Sequence, residues 1–205
     1  MKKLFKIFVA VALSLFVGGV ANAQIKVGAN FGAQLPLGDN YIYKYRDKIG
    51  WGFGGNINGE YFTKHLSWLS SGLGLSAGYY TFKVDEYDDH VSMIPVTVTG
   101  NIYFRSEGFK PYIGGEFGAY ILGATDRKIE SNMYWGAAAV IGFQYDLTKV
   151  LALNFNLKSN HIFSSKTYEE TPWTIRESYN FSSLGANIGL VYTFGGSKSS
   201  SDSDE

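Results

Sequence analysis

Three stretches of the chain alternate apolar with small or polar residues at a period of two, and no other feature constrains the fold as strongly. Over 24–35, Ile25, Val27, Ala29, Phe31, Ala33 and Leu35 are apolar, while Lys26, Gly28, Asn30, Gly32 and Gln34 are polar or bare. Leu151, Leu153, Phe155 and Leu157 repeat the pattern, as do Leu184, Ala186, Ile188, Leu190, Tyr192 and Phe194. A period of two is that of a strand with unlike faces; a helix would need 3.6. Noisier segments near 51–62, 69–82, 92–104, 112–123 and 134–146 bring the count to eight, each with the ~9–11 residues that cross a bilayer when tilted. The connections alternate in length: 63–68, 105–110 and 146–149 are short, whereas 36–50, 83–90, 124–133 and 164–178 are long. Short and long must lie at opposite ends. The expected fold is all-β, a closed eight-stranded antiparallel up-and-down transmembrane barrel over residues 24–194.

Composition agrees. Of 205 residues, 17% are aromatic and 25 are Gly, against 4 Pro, which favours strands over helices. Lys+Arg and Asp+Glu are both 18, so no excess charge points to nucleic acid. The absence of Cys excludes disulfides, thiolate metal sites and a lipid-modified N-terminal Cys. Residues 1–23 read as an export signal, with Lys2 and Lys3 before an apolar run and Ala21-Asn22-Ala23 as the cleavage site, so the mature chain is expected to begin at Gln24. Residues 195–205 have nothing apolar to bury and read as a disordered periplasmic tail.

The polar face decides what the strands face. In a soluble barrel it would carry Lys and Glu towards water, yet it is mostly Gly28, Gly32, Gly54, Asn56, Asn58, Gly74, Ser76, Thr97, Thr99 and Asn187. Small groups suit the narrow lumen of eight strands, leaving the apolar set for lipid. By alternation Lys26, Glu60, Glu116 and Lys158 point inwards as a lumen polar network, with Lys26 and Glu60 expected to pair near the periplasmic end. Trp51 and Trp135 would mark the outer aromatic girdle; Tyr61, Phe104, Tyr145, Tyr192 and Phe194 would mark the inner one.

At this level the chain resembles the small outer-membrane β-barrel domains of Gram-negative bacteria, of the OmpX and OmpA transmembrane type. The likeness is carried by Ile94-Pro95-Val96-Thr97-Val98 leading to Tyr103-Phe104, by Lys110-Pro111-Tyr112-Ile113-Gly114-Gly115-Glu116, and by the final Leu190-Val191-Tyr192-Thr193-Phe194. It implies an outer-membrane location among lipid and lipopolysaccharide. It also implies an assembly signal at Tyr192 and Phe194 read by the barrel-assembly machinery. For activity the resemblance is broad, covering adhesion and defence proteins, small channels and lipid-modifying enzymes.

Candidate chemistry is sparse. Gly74-Leu75-Ser76-Ala77-Gly78 matches G-x-S-x-G, but a nucleophile elbow needs a strand-to-helix turn and this segment alternates as a strand. His65, His90 and His161 have no spaced partner for a metal. Asp85, Glu86, Asp88 and Asp89 could hold Ca²⁺ in a surface loop, although a solvated acidic loop explains them as well. Ser159 and His161 share the lipid face, where a His could activate a hydroxyl if Glu169 or Glu170 folded back to orient it. The resemblance brings lipid A deacylases to bear here, but their His-x-Ser order is reversed. The expectation is a structural or surface-interacting, non-catalytic protein without cofactor, with any extracellular ligand met by the long loops at 41–46 and 173–176. A small-solute pore, an outer-leaflet lipid esterase and a soluble lipocalin-like carrier are the alternatives.

Overall fold

The computed structural model describes residues 23–37, 49–66, 68–84, 90–105, 107–124, 132–170 and 173–194, for 23, 49, 84, 124, 132, 164–170 and 173–180 the backbone alone. These residues form β1 (Ala23–Leu37), β2 (Ile49–Leu66), β3 (Leu69–Val84), β4 (His90–Tyr103), β5 (Phe109–Ala124), β6 (Asn132–Asp146), β7 (Leu151–Glu170) and β8 (Trp173–Phe194). Every strand is antiparallel to its sequence neighbours, and β8 pairs back on β1 to close the barrel. One expected loop is not a loop. Across 164–178 the β7–β8 ladder runs on from Ser164↔Tyr179 to Glu170↔Trp173. Thr167, Tyr168, Trp173, Thr174 and Ile175 are strand-forming types that Lys, Glu and Ser had disguised, and two residues suffice to turn a hairpin.

The register fixes the shape of the barrel. From Ile25 the paired positions run through Tyr61, Leu73, Gly100, Gly115, Ala139 and Ser159 to Leu184, yet Ile25 itself pairs with Phe194, ten residues along β8. A stagger of ten over eight strands, at ~3.3 Å per residue and ~4.8 Å between strands, tilts the strands about 40° from the axis. Pro95 departs from the rule that prolines avoid internal strands. It has no N–H to donate, and the β3–β4 pairing lapses between Ala77↔Val96 and Tyr80↔Met93.

Burial follows the alternation with the polarity of a membrane barrel. Outward-facing Ile57 and Leu75 are 65% and 67% exposed, whereas inward-facing Lys26, Glu60 and Lys158 are each 3% exposed. An apolar wall this continuous needs lipid over it. Trp51 and Trp135 stand exposed towards the outer end, and Tyr61, Phe104, Tyr145, Tyr192 and Phe194 at the inner.

The alternation reverses its meaning at the outer end. There the inward positions become apolar, with Tyr80, Phe82, Val91, Met93, Tyr120, Ile162 and Phe181 packed as one cluster. Outside, on β3 and β4, Lys83 and His90 replace the apolar wall. A strand rising out of lipid into water must exchange its faces. The lumen is therefore not lined throughout by small polar groups, as alternation had suggested, but stoppered by rings. Glycines make room for them: a Cβ at Gly136 would lie 2.7 Å from Tyr120 Cε2, and one at Gly54 2.6 Å from Tyr80 Cδ1.

Candidate functional site

Beneath the aromatic stopper the lumen is filled by polar side chains. Lys26 and Glu60 are direct cross-strand partners, but the expected ion pair does not form. The Lys26 ammonium lies 3.3 Å from the centre of the Phe62 ring and 4.5 Å from that of Tyr103, and donates to Gln144 Oε1 at 3.3 Å. The cation is held by two ring faces instead of a carboxylate. Glu60 accepts from the Tyr103 hydroxyl at 2.8 Å and from Asn101 Nδ2. Gln144 donates to the same hydroxyl at 3.3 Å, so Lys26 and Glu60 are linked through Gln144 and Tyr103.

The other two inward charges do meet. Lys158 Nζ lies 2.6 Å from Glu116 Oε2, and Thr97 Oγ1 donates to the same oxygen at 2.9 Å. An amide chain crosses the lumen beside them: Tyr112 to Asn154 at 3.1 Å, Asn154 to Asn30 at 2.7 Å, Asn30 to Asn58 at 3.2 Å. Nearer the stopper, Asn160 donates to Gln34 Oε1 at 3.2 Å and to Ser183 Oγ at 3.1 Å. Among these side chains lies a cavity of about 40 Å³, room for a water or two. The periplasmic end is tied by Lys110 to Asp146, whose Oδ2 accepts from Gly108 N at 2.8 Å. Sequence reasoning placed Asn101 on the polar lumen face but gave Tyr103, Gln144 and Lys110 no part in the polar network. Their parity was visible, their partners were not.

On the lipid side, Ser159 and His161 come together as the alternation suggested. Ser159 Oγ lies 3.1 Å from His161 Nε2, and His161 Nδ1 lies 3.0 Å from Ser182 Oγ. Among the described residues no carboxylate orients this ring. β7 continues straight, placing the Glu169 backbone eight residues on, ~26 Å away by strand rise, so neither Glu169 nor Glu170 folds back. Beside the trio lies a depression of about 420 Å³ lined by Ala137, Ala138, Ala139, His161, Ile162, Phe163 and Ser182. Ser76 is on a straight strand facing the lumen, where its Oγ accepts from Asn56 Nδ2 at 3.0 Å. Asp85, Glu86, Asp88, Asp89 and the 41–46 run lie outside the described residues, as do residues 1–22 of the export segment and the tail. Among the described residues, no three His, Asp or Glu side chains gather as a metal ion would need.

No curated protein matches the chain by sequence. Solved structures do match by fold. The Neisserial surface protein NspA aligns with a TM-score of 0.53 at 16% identity, over 84% of this chain and 97% of that one. OprG of Pseudomonas aeruginosa aligns at 0.52 and 15%, over 84% and 96%. The outer membrane enzyme PagL aligns at 0.53 and 12%, over 80% and 97%. At such identities these likenesses speak for the fold alone. The sequence itself, over residues 8–194, matches the model of the outer membrane protein β-barrel domain, and the chain belongs to that family of outer-membrane barrels.

Proposed function

We propose that this barrel is a closed, non-conducting and non-catalytic element of the outer membrane whose role is structural or surface-interacting, in the manner of adhesion and defence barrels. The observation that carries the reading is the doubly blocked lumen. The Glu116–Lys158 pair and the amide chain fill its middle, and the Tyr80–Phe82–Tyr120–Phe181 cluster fills its outer end. A pore would need both layers to part, leaving buried polar groups unpaired. The paired β7–β8 backbone beyond Phe163 supports a surface role by carrying chain above the barrel wall, where recognition is usually placed. Export would release the mature chain between Ala23 and Gln24, and Tyr192 and Phe194 would serve the assembly machinery. Lipopolysaccharide would surround the outer half.

Planar bilayers test the closed state. Refolded protein is expected to give no discrete current steps, while Phe82→Ala combined with Tyr120→Ala opens the stopper and raises leak. Regular steps from the unmodified chain would overturn the closed reading. The surface role is tested by binding of expressing cells to host-cell or matrix-coated surfaces. Replacing 41–46 by a short Gly-Ser turn is expected to abolish binding while the folded, heat-modifiable band persists.

A further inference from the structure

The polar trio on the lipid-facing wall has no part in closing the lumen. His161 lies two residues below Phe163, which pairs with Trp135 of the outer girdle, so its ring sits about 5 Å beneath that girdle on a strand tilted about 40°. An ionisable group at the edge of an apolar band calls for a partner and a purpose. Both ring nitrogens are engaged by serines. With the proton on Nε2, the ring donates to Ser159 and accepts from Ser182, leaving the Ser159 hydroxyl hydrogen to an outside acceptor. With the proton on Nδ1, the bonds reverse direction.

The surface beside the trio has a direction of its own. Along the register row of Ser159 the next outward positions are Ala139, Gly115 and Gly100. Because the strands tilt, this row descends from Ser159 towards the periplasmic Ile25, covering about 14 Å over three strand spacings. Ile141 and Ile113 border it on the inner side and Phe117 on the outer. The wall's own packing does not ask for glycine there: a Cβ at Gly100 would meet nothing within 4 Å, and one at Gly115 only a carbonyl oxygen at 3.7 Å. The depression of about 420 Å³ opens at the top of this trough, apolar but for His161 and Ser182.

An occupant must be apolar along its length, descend into the bilayer from the outer boundary, and present a hydrogen-bond acceptor at its upper end. We propose that the depression seats one acyl chain of an outer-leaflet acyl-ester lipid, its ester carbonyl hydrogen-bonded by the Ser159–His161–Ser182 trio and its methylenes lying over Ala139 and Gly115. The site rests on the reading that this wall faces lipid and that the termini are periplasmic. It makes the barrel a holder of a specific boundary lipid, through contacts that leave the lumen untouched.

The test uses the full-length mature chain refolded into nanodiscs of dimyristoyl phosphatidylcholine or of its ether-linked analogue, followed by native mass spectrometry under mild activation. The expected result is one tightly retained ester lipid, with occupancy roughly fivefold lower for the ether analogue, the size of one lost hydrogen bond. His161→Leu should remove the ester preference. Gly115→Ile, which the backbone accommodates, should empty the site while leaving the trio intact. Heat-modifiable migration establishes that each variant is folded. Equal retention of both lipids by folded wild-type protein, or retention unchanged in Gly115→Ile, would overturn the proposal. So would Ser159-dependent release of myristate and lysolipid, which would make the trio a hydrolase. The absence of any heat-modifiable band would instead strike at the membrane reading beneath it.

Discussion

Among single residues the most consequential are two opposite charges buried in the lumen. Lys158 and Glu116 have side chains only 4% and 10% exposed, so each depends on the other. Lys158→Met leaves a buried carboxylate without its cation and is expected to destabilise the barrel by about 3 kcal/mol. Adding Glu116→Gln should recover most of that loss, and urea unfolding from liposomes, followed by tryptophan fluorescence, measures both. Two glycines offer a sharper contrast. Gly136→Val drives a methyl-bearing carbon into the Tyr120 ring and should lower stability by about 1–3 kcal/mol. Gly59→Val, on the lipid side with nothing within 4 Å of its Cβ, should leave the same unfolding curve unmoved. The inward parity of Lys26, Glu60, Glu116 and Lys158 was legible in the sequence, because alternation fixes each strand's register modulo two. Which side chains meet depends on the whole register. Lys26 finds Gln144, 118 residues away, instead of the carboxylate paired with it across the ladder.

At the scale of elements, eight strands and their order were readable, and their ends were not. Alternation marks only the part of a strand that separates lipid from lumen. Tyr80, Phe82, Val91 and Met93 lie where the two faces trade polarity, so the period weakens there although the ladder continues. The β7–β8 ribbon is the extreme case. Its pairs beyond Phe163 have no counterpart on β6, whose register with β7 stops at Trp135↔Phe163. Joining 165 to 178 through a two-residue turn should therefore leave the barrel closed and its heat-modifiable band intact. Loss of that band would mean that the ribbon helps to hold the wall. Gly108 at the periplasmic end has φ +69°, so Gly108→Ala is expected to cost about 1 kcal/mol of stability in the same unfolding experiment.

For the whole molecule, the contrast between an outer end with an apolar inside and a middle with an apolar outside means that one sheet obeys two sets of rules. The middle depends on lipid for its stability. The outer end is built like a water-soluble core and should keep its packing when detergent thins the belt around the barrel. Amide exchange measured in detergent and in bilayers should accordingly protect Tyr80, Met93 and Tyr120 similarly in both, and protect the middle strands less in detergent. The seam between β1 and β8 carries a different consequence, one of timing. An open arc of eight strands has two raw edges, and the contact that removes them joins the earliest described segment to the last, the most distant meeting the chain makes. Closure is thus the slow and final event. Any helper that speeds insertion has most to gain by holding Phe194 near Ile25 until the ring shuts.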